Sequence, residues 1–298
     1  MGPQRRRQRL IGLLPAFGPA MVWIIQPFTV GALIGDALNS TGSDFRTAAS
    51  WMAWLSWAAI LVILAVPQPL TLTLGRIGAA AILPTALWAA ANTDSDALVI
   101  VGVSSAIVAA LAPLFPAVGE RFIDAASYGD EQRYPLRPPG QVLLFLVVPT
   151  WAVSVAAISA GPLLLAAHRW GFGAAAILIG LPISLVGYRA MSRLTSRFLV
   201  FVPHGIVIHD LVNLAEPVLV KVHEISTFGP ARVDASTTDL TSQALGLALE
   251  LRFVEPIGLP IVIGRDEAEE TTVDSLMVSP SRPAAVLQTA ARRGFNIG

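Results

Sequence analysis

The stretch FGAAAILIGLPISLVGYRAMSR, residues 172–193, decides the fold. Residues 172–191 form an apolar run of about 20 residues, long enough as a helix to cross a bilayer's ~30 Å hydrocarbon core. A helix buried in a soluble protein shows a polar face; this run has none, and it closes on Arg189 and Arg193. Beyond Arg193 the solid apolar pattern gives way to short strand-like runs. The stretch therefore divides the chain into a transmembrane helical domain, residues 1–193, and a small mainly β domain, residues 194–298.

Working back toward the N-terminus, five similar runs occupy residues 17–38, 48–66, 72–91, 97–118 and 142–167. The expected fold class is an α-helical polytopic membrane bundle of about six transmembrane helices, followed by a mainly β cytoplasmic domain. Composition agrees. The mean hydropathy is +0.65, and 13% of residues are charged, against roughly 25% in water-soluble domains. The basic start, Arg5-Arg6-Arg7-Gln8-Arg9 before an apolar run, reads as a retained signal anchor, because further spans follow it.

Arginine placement orients the spans. Arg5, Arg6, Arg7, Arg9, Arg76, Arg121, Arg133, Arg137, Arg189, Arg193 and Arg197 flank one set of span ends, and only Arg46 and Arg169 the other. The positive-inside rule then puts both termini and the connection 120–140 in the cytoplasm. Trp51, Trp54, Trp88 and Trp170 fall near the outer ends, as in an aromatic interfacial belt. Arginine in place of lysine, with abundant alanine, points to a GC-rich bacterial genome and hence to a bacterial inner membrane.

Charge narrows the function further. Residues 1–193 carry twelve arginines against eight acids, and residues 194–298 carry eight basic residues against twelve acids. A net-acidic tail of this kind excludes a nucleic-acid binder. The chain has no cysteine, which excludes disulfides, thiol nucleophiles and thiolate metal sites. No phosphate-binding loop, dinucleotide fingerprint, HExxH or GxSxG occurs. The expectation is a protein that is not an enzyme, with no cofactor and no metal. His204, His209, Asp210 and His223 are the densest ligand-type group. A zinc site needs three or four such groups converging at about 2.0–2.2 Å, so they are read as turn and strand surface.

Pro27, Pro84, Pro113, Pro149, Pro162 and Pro182 lie inside the apolar runs. Each removes a helix donor and is expected to bend its helix where neighbours satisfy the freed carbonyl. Gly31 and Gly35 form a GxxxG pair, while Gly173, Gly180 and Gly187 recur every seventh residue on one stripe. Both sets are expected to be helix-packing positions, within the bundle or in a homo-oligomer. Asp36 and Arg76 sit near opposite ends of their spans and are expected to snorkel. Gln26, Thr29, Ser56, Ser104, Ser105, Thr150, Ser154, Ser159 and Ser184 are the residues from which a polar path would be built. The hexamer Gly78–Leu83 recurs as Gly173–Leu178, in the third run of each half. An inverted repeat of three plus three helices would place it so, which keeps a small transporter or channel as the alternative function.

In the tail, residues 198–202 and 206–209 flank Pro203-His204-Gly205 and read as a hairpin. Further strands are expected at 218–225, 244–254 (where helix is also permitted), 259–263 and 273–278, with loops at 234–242 and 266–270. A closing helix is capped by Ser281, started by Pro283 and stopped by Gly294, with Val286, Leu287 and Ala290 on one face. Arg197-Phe198-Leu199-Val200-Phe201 opening the first strand, the Gly205 turn and Glu224-Ile225 leaving the third resemble a bacterial pleckstrin-homology-like (PH-like) domain. That resemblance implies a scaffold for lipids, peptides or partner chains. The basic cluster that would hold phosphorylated lipid heads is missing from the first hairpin. The expected partners are thus membrane lipids around the helices and a protein bound by the cytoplasmic tail. Arg121, Arg133 and Arg137 on the connection 120–140 are its candidate partner-binding residues, as a docking site for the acidic domain.

Overall fold

The computed structural model describes residues 17–232, 237–264 and 267–298, and of Ser40 the backbone alone. Arg5, Arg6, Arg7 and Arg9, and parts of the loops expected at 234–242 and 266–270, lie outside the described residues. The chain forms two compact units. One comprises Met1–Phe122 and Pro149–Met191, the other Ile123–Val148 and Ser192–Gly298.

Among the described residues, six helices are long and apolar enough to cross a membrane. They are α1 (Phe17–Ala37), α2 (Ser43–Ala65), α3 (Pro69–Ala90), α4 (Asp96–Leu114), α6 (Gly140–Ala166) and α7 (Trp170–Thr195). A short helix, α5 (Pro116–Asp124), follows α4. Their outer surfaces are apolar and open: Phe28 is 80% exposed, Phe145 75% and Leu178 75%. Such residues are stabilised by apolar surroundings rather than by water.

The ends of the helices follow local chemistry. Asp44 and Asp96 fall in the first turns of α2 and α4, where a carboxylate opposes the positive end of the helix dipole. Pro69 opens α3, where its missing N–H costs nothing. The expected run 97–118 is divided. Phe115, which precedes Pro116, is extended at φ −60°, ψ 133°. A residue before proline avoids the helical region, so α4 stops at Leu114 and α5 starts afresh.

Four prolines interrupt their ladders. Pro27 lies in a 3-10 turn, Gln26–Phe28, and Pro113 in another, Ala112–Leu114. Ahead of Pro84, α3 pauses at Ala81 between its two halves. Ahead of Pro149, α6 runs as a π-helix over Leu143–Val147. Pro162 and Pro182 stay inside continuous helix.

The second unit is mainly β. Its strands are β1 (Gln132–Pro135), β2 (Phe198–Val202), β3 (Gly205–His209), β4 (Val218–Lys221), β5 (Ile225–Pro230), β6 (Thr238–Asp239), β7 (Leu249–Val262) and β8 (Ala268–Val278). They form two four-stranded sheets in the orders β1-β2-β3-β4 and β5-β7-β8-β6. Helix α8 (Pro283–Arg292) closes the chain. The β2–β3 hairpin turns at Pro203-His204, with Phe198 opposite His209. The run 218–225 breaks into β4, a 3-10 turn at Val222–Glu224 and β5. The strands expected at 244–254 and 259–263 are parts of one long strand, β7, and Glu269 and Glu270 belong to its partner β8. One core joins both sheets and α8 through Leu199, Phe201, Ile208, Phe228, Leu251, Leu276, Val286 and Ala290.

Strand β1 comes from the connection between the fourth and fifth spans. It pairs antiparallel with β2, Tyr134 opposite Leu199. As an edge strand it tolerates Pro135. Tyr134 is buried, its ring lies edge-on to Phe201 at 5.7 Å, and its hydroxyl lies 2.6 Å from the Thr289 hydroxyl on α8. At that last helix the residue before Pro283, Arg282, takes the N-cap place expected of Ser281 and makes no side-chain cap bond. Gly294 takes φ +82°, the left-handed geometry that ends helices.

Candidate functional site: a braced loop cluster in the β unit

A buried, multiply bonded polar group is built on Arg197, the residue just before β2. Arg197 is 1% exposed and Asp210, just after β3, is 0% exposed. Their contact is two-pronged: Arg197 Nε donates to Asp210 Oδ1 at 2.7 Å and an Nη donates to Oδ2 at 2.7 Å. Planar guanidinium and carboxylate match in this geometry. Two further donors go to the Arg137 carbonyl at 3.1 Å and the Leu240 carbonyl at 3.2 Å. Asp210 also accepts from the Val212 N–H and from the Asn213 amide. Both charges are thus paired and hydrogen-bonded, the condition under which a buried ion pair is tolerated.

Three loops meet there: residues 136–140, 210–214 and 240–247. Arg137 donates to the Leu245 carbonyl at 2.6 Å and to the Ser281 carbonyl at 3.2 Å. The Ser242 hydroxyl donates to Asn213 Oδ1 at 2.8 Å. The Gly140 N–H donates to the Gln243 carbonyl at 3.2 Å. Ser242 and Gln243 hold φ of 50° and 62°. Left-handed backbone at non-glycine residues costs on the order of 1–3 kcal/mol each and persists only where the surroundings fix it. Here a built network holds a strained loop whose tips, Leu245 and Leu247, point to the outside at 69% and 51% exposure.

The three candidate arginines separate. Arg121 lies in the last turn of α5, in the helical unit. Arg133 and Arg137 lie in the β unit. Arg133 pairs with Glu131 at 3.3 Å and caps the Phe198 ring at 5.5 Å. Arg137 holds tail carbonyls as described.

The histidines are placed apart. His209 stacks on Phe198 at 4.4 Å, and its Nδ1 lies 2.8 Å from the Ser196 carbonyl. His204 and His223 are exposed. Asp210 is held by Arg197. Among the described residues no group of three or more His, Cys, Asp or Glu is arranged to hold a metal ion.

In the helical unit several polar groups close on one another. The carbonyl of Trp23 would bond the N–H of residue 27, which proline lacks. The Trp57 indole fills that vacancy at 3.0 Å, and the Trp23 indole donates to the Trp57 carbonyl, also at 3.0 Å. Ser105 donates to Gln26 Oε1 at 3.1 Å and lies 2.9 Å from the Thr29 hydroxyl. Arg76 Nε donates to the Pro113 carbonyl at 3.1 Å, a group stranded where α4 stops. Thr93 bonds Asp36.

The glycine stripes differ. A Cβ at Gly180 would lie 2.5 Å from the Ala157 backbone oxygen, and one at Gly173 2.6 Å from the Leu165 side chain. A Cβ at Gly187 would come closer still to the Ser154 hydroxyl. Helices α6 and α7 therefore meet closely along this line, backbone against glycine at Gly180 and side chains against glycine at Gly173 and Gly187. Gly35 has open space around it, and Gly31 meets only Gln26 and Pro27 of its own helix.

Sequence reading missed β1 and the Arg197–Asp210 pair. The first carries only four residues of pattern. The second joins positions thirteen apart in sequence, on either side of a hairpin whose equal arms, once recognised, put them side by side. Comparison with models of protein families, with curated proteins and with solved structures finds no match for this chain.

Proposed function

We propose that this chain is a non-enzymatic protein of a bacterial inner membrane, whose PH-like β domain holds a protein partner at the cytoplasmic surface. The observation that carries the reading is the interleaving of the two units. The chain passes between them after Phe122, after Val148 and after Met191. A domain joined to the spans by three chain crossings, with β1 supplied from between two of them, is tethered to the membrane part by more than one linker. Fixing it at the membrane raises its local concentration for any other membrane-bound partner. Two sheets closed by one C-terminal helix support the PH-like reading. Orientation rests on the arginines: Arg76, Arg121, Arg189 and Arg193 mark the retained side.

Crosslinking and pull-down from membranes with the full chain, and with a chain ended after Thr195, tests this. The tether account expects a crosslinked partner with the full chain alone. Equal recovery with the shortened chain contradicts it. The second reading, a small transporter, is favoured by the hydrogen-bonded Gln26, Thr29 and Ser105 at the break in α1. It predicts that Gln26→Leu or Ser105→Ala abolishes uptake of a solute, with residues 196–298 dispensable.

A further inference from the structure

We infer that the loop tips Leu245 and Leu247, with Leu211 and Val212 on the loop bonded to theirs through Asn213, dip into the interfacial layer of the same bilayer that α6 crosses. The inference rests on the reading of Gly140–Ala166 as a membrane span. All of the residues concerned belong to the β unit, which includes the first turns of α6 up to Val148.

Three observations converge. First, the tips are apolar and open. Leu211 is 54% exposed and Val212 40%, and the segments 211–215 and 243–248 carry no charge. Second, they are held in place: Ser242 and Gln243 take left-handed backbone, and Arg137, Asn213 and Gly140 bond the loop that presents Leu245. A strained, braced loop that shows leucines to the outside fits a surface that must meet something apolar. Third, the patch is continuous with the lipid-facing surface of α6. A Cβ at Gly140, the first residue of that span, would lie 3.3 Å from Leu245 Cγ. A turn further along, Leu144 and Phe145 are 62% and 75% exposed.

Lipid is the occupant that matches this placement. Leu245 lies beside Gly140, the first residue of the span Gly140–Ala166. Insertion of apolar side chains roughly 5–10 Å into the headgroup and acyl boundary is the usual depth of an interfacial anchor. The tail's acidic balance offers no attraction to anionic lipid, so apolar contact supplies the affinity. Because α6 already holds the loop near the bilayer, a small patch suffices.

The chain contains no cysteine, so single-cysteine variants report on one position each. Full-length Leu245→Cys, Leu247→Cys, Phe145→Cys and His204→Cys proteins would carry an environment-sensitive fluorophore in vesicles of phosphatidylcholine and phosphatidylglycerol. His204 is exposed and turns the β2–β3 hairpin at the end away from Asp210. Quenching by a nitroxide on the upper acyl chain is compared with quenching by aqueous iodide. The expected result is lipid quenching at 245 and 247 at least about twofold above that at 204, with iodide quenching reduced in proportion. If 145 is quenched by lipid while 245 and 247 behave like 204, the anchor is wrong and the span stands. If 245 and 247 are shielded from both quenchers, protein covers the patch and the anchor is wrong. If 145 itself escapes lipid quenching, the membrane reading fails first.

Discussion

The two units solve the same problem with opposite materials. Each buries polar groups that must find partners. In the helical unit the solution is local to the prolines, and at Pro27 it is neutral: Pro27 frees the Trp23 carbonyl and the Trp57 indole takes it, while the Arg76 guanidinium takes the Pro113 carbonyl. In the β unit the solution is ionic: Arg197 and Asp210 bury a full charge pair and share its spare donors and acceptors among three loops. The difference follows from the surroundings. A span can satisfy its own backbone and needs help only where the ladder breaks. A small β domain has many loop ends to fix, and one guanidinium with five donors can fix several at once.

The largest expected effect breaks the ionic solution. Arg197→Met or Asp210→Ala leaves one charge buried alone and is expected to cost about 3–5 kcal/mol. Urea unfolding of the full chain in nanodiscs, followed by proteolysis within 196–298, would read it. The double variant Arg197→Met/Asp210→Leu should recover most of the loss; losses that simply add would deny that the two charges act as a pair.

Next comes the close approach of α6 and α7. Gly180→Val drives a side chain into the Ala157 backbone and is expected to cost about 1–3 kcal/mol in unfolding from mixed micelles. Gly171→Ala, with nothing within 4 Å, should change stability by less than about 0.5 kcal/mol.

Tyr134→Phe removes the bond to Thr289 and should destabilise the β unit by about 1 kcal/mol. An unchanged midpoint would mean that β1 is not part of that unit's core.

The smallest effect tests the neutral solution. Trp57→Phe should cost about 0.6 kcal/mol, and at most about 1.7, the range of hydrogen bonds between membrane helices. In a Pro27→Ala background the N–H is restored and the same change should cost nearly nothing. Equal costs in both backgrounds would show that the proline vacancy is not what the indole fills.

Much of this contrast was legible in the sequence, and the reasons differ by region. The spans were legible because lipid demands unbroken apolarity, which one chain records directly. Their ends were less so: the run 97–118 ignores Phe115, where the following proline forces extended backbone. The hairpin at Pro203-His204 was legible from its turn residues. The merging of 244–254 with 259–263 was not, because Pro256 and Gly258 stand between the two runs and only pairing with β8 joins them in one strand. β1 was hidden for a similar reason. Gln132-Arg133-Tyr134-Pro135 has no alternation of its own, and Tyr134 is recognisable as core only beside Phe201 and Thr289. The loop cluster depended on long-range partners throughout, since Arg197 reads as one more flanking arginine until Asp210 is placed against it.

The account rests most heavily on the side of the membrane that each unit's loops face. Single cysteines at Asp94, exposed between the third and fourth spans, and at Thr272, exposed on β8, can be challenged in intact cells with a membrane-impermeant maleimide. The account predicts labelling at 94 without permeabilisation and at 272 only after it. Labelling at 272 in intact cells, with 94 protected, would contradict it.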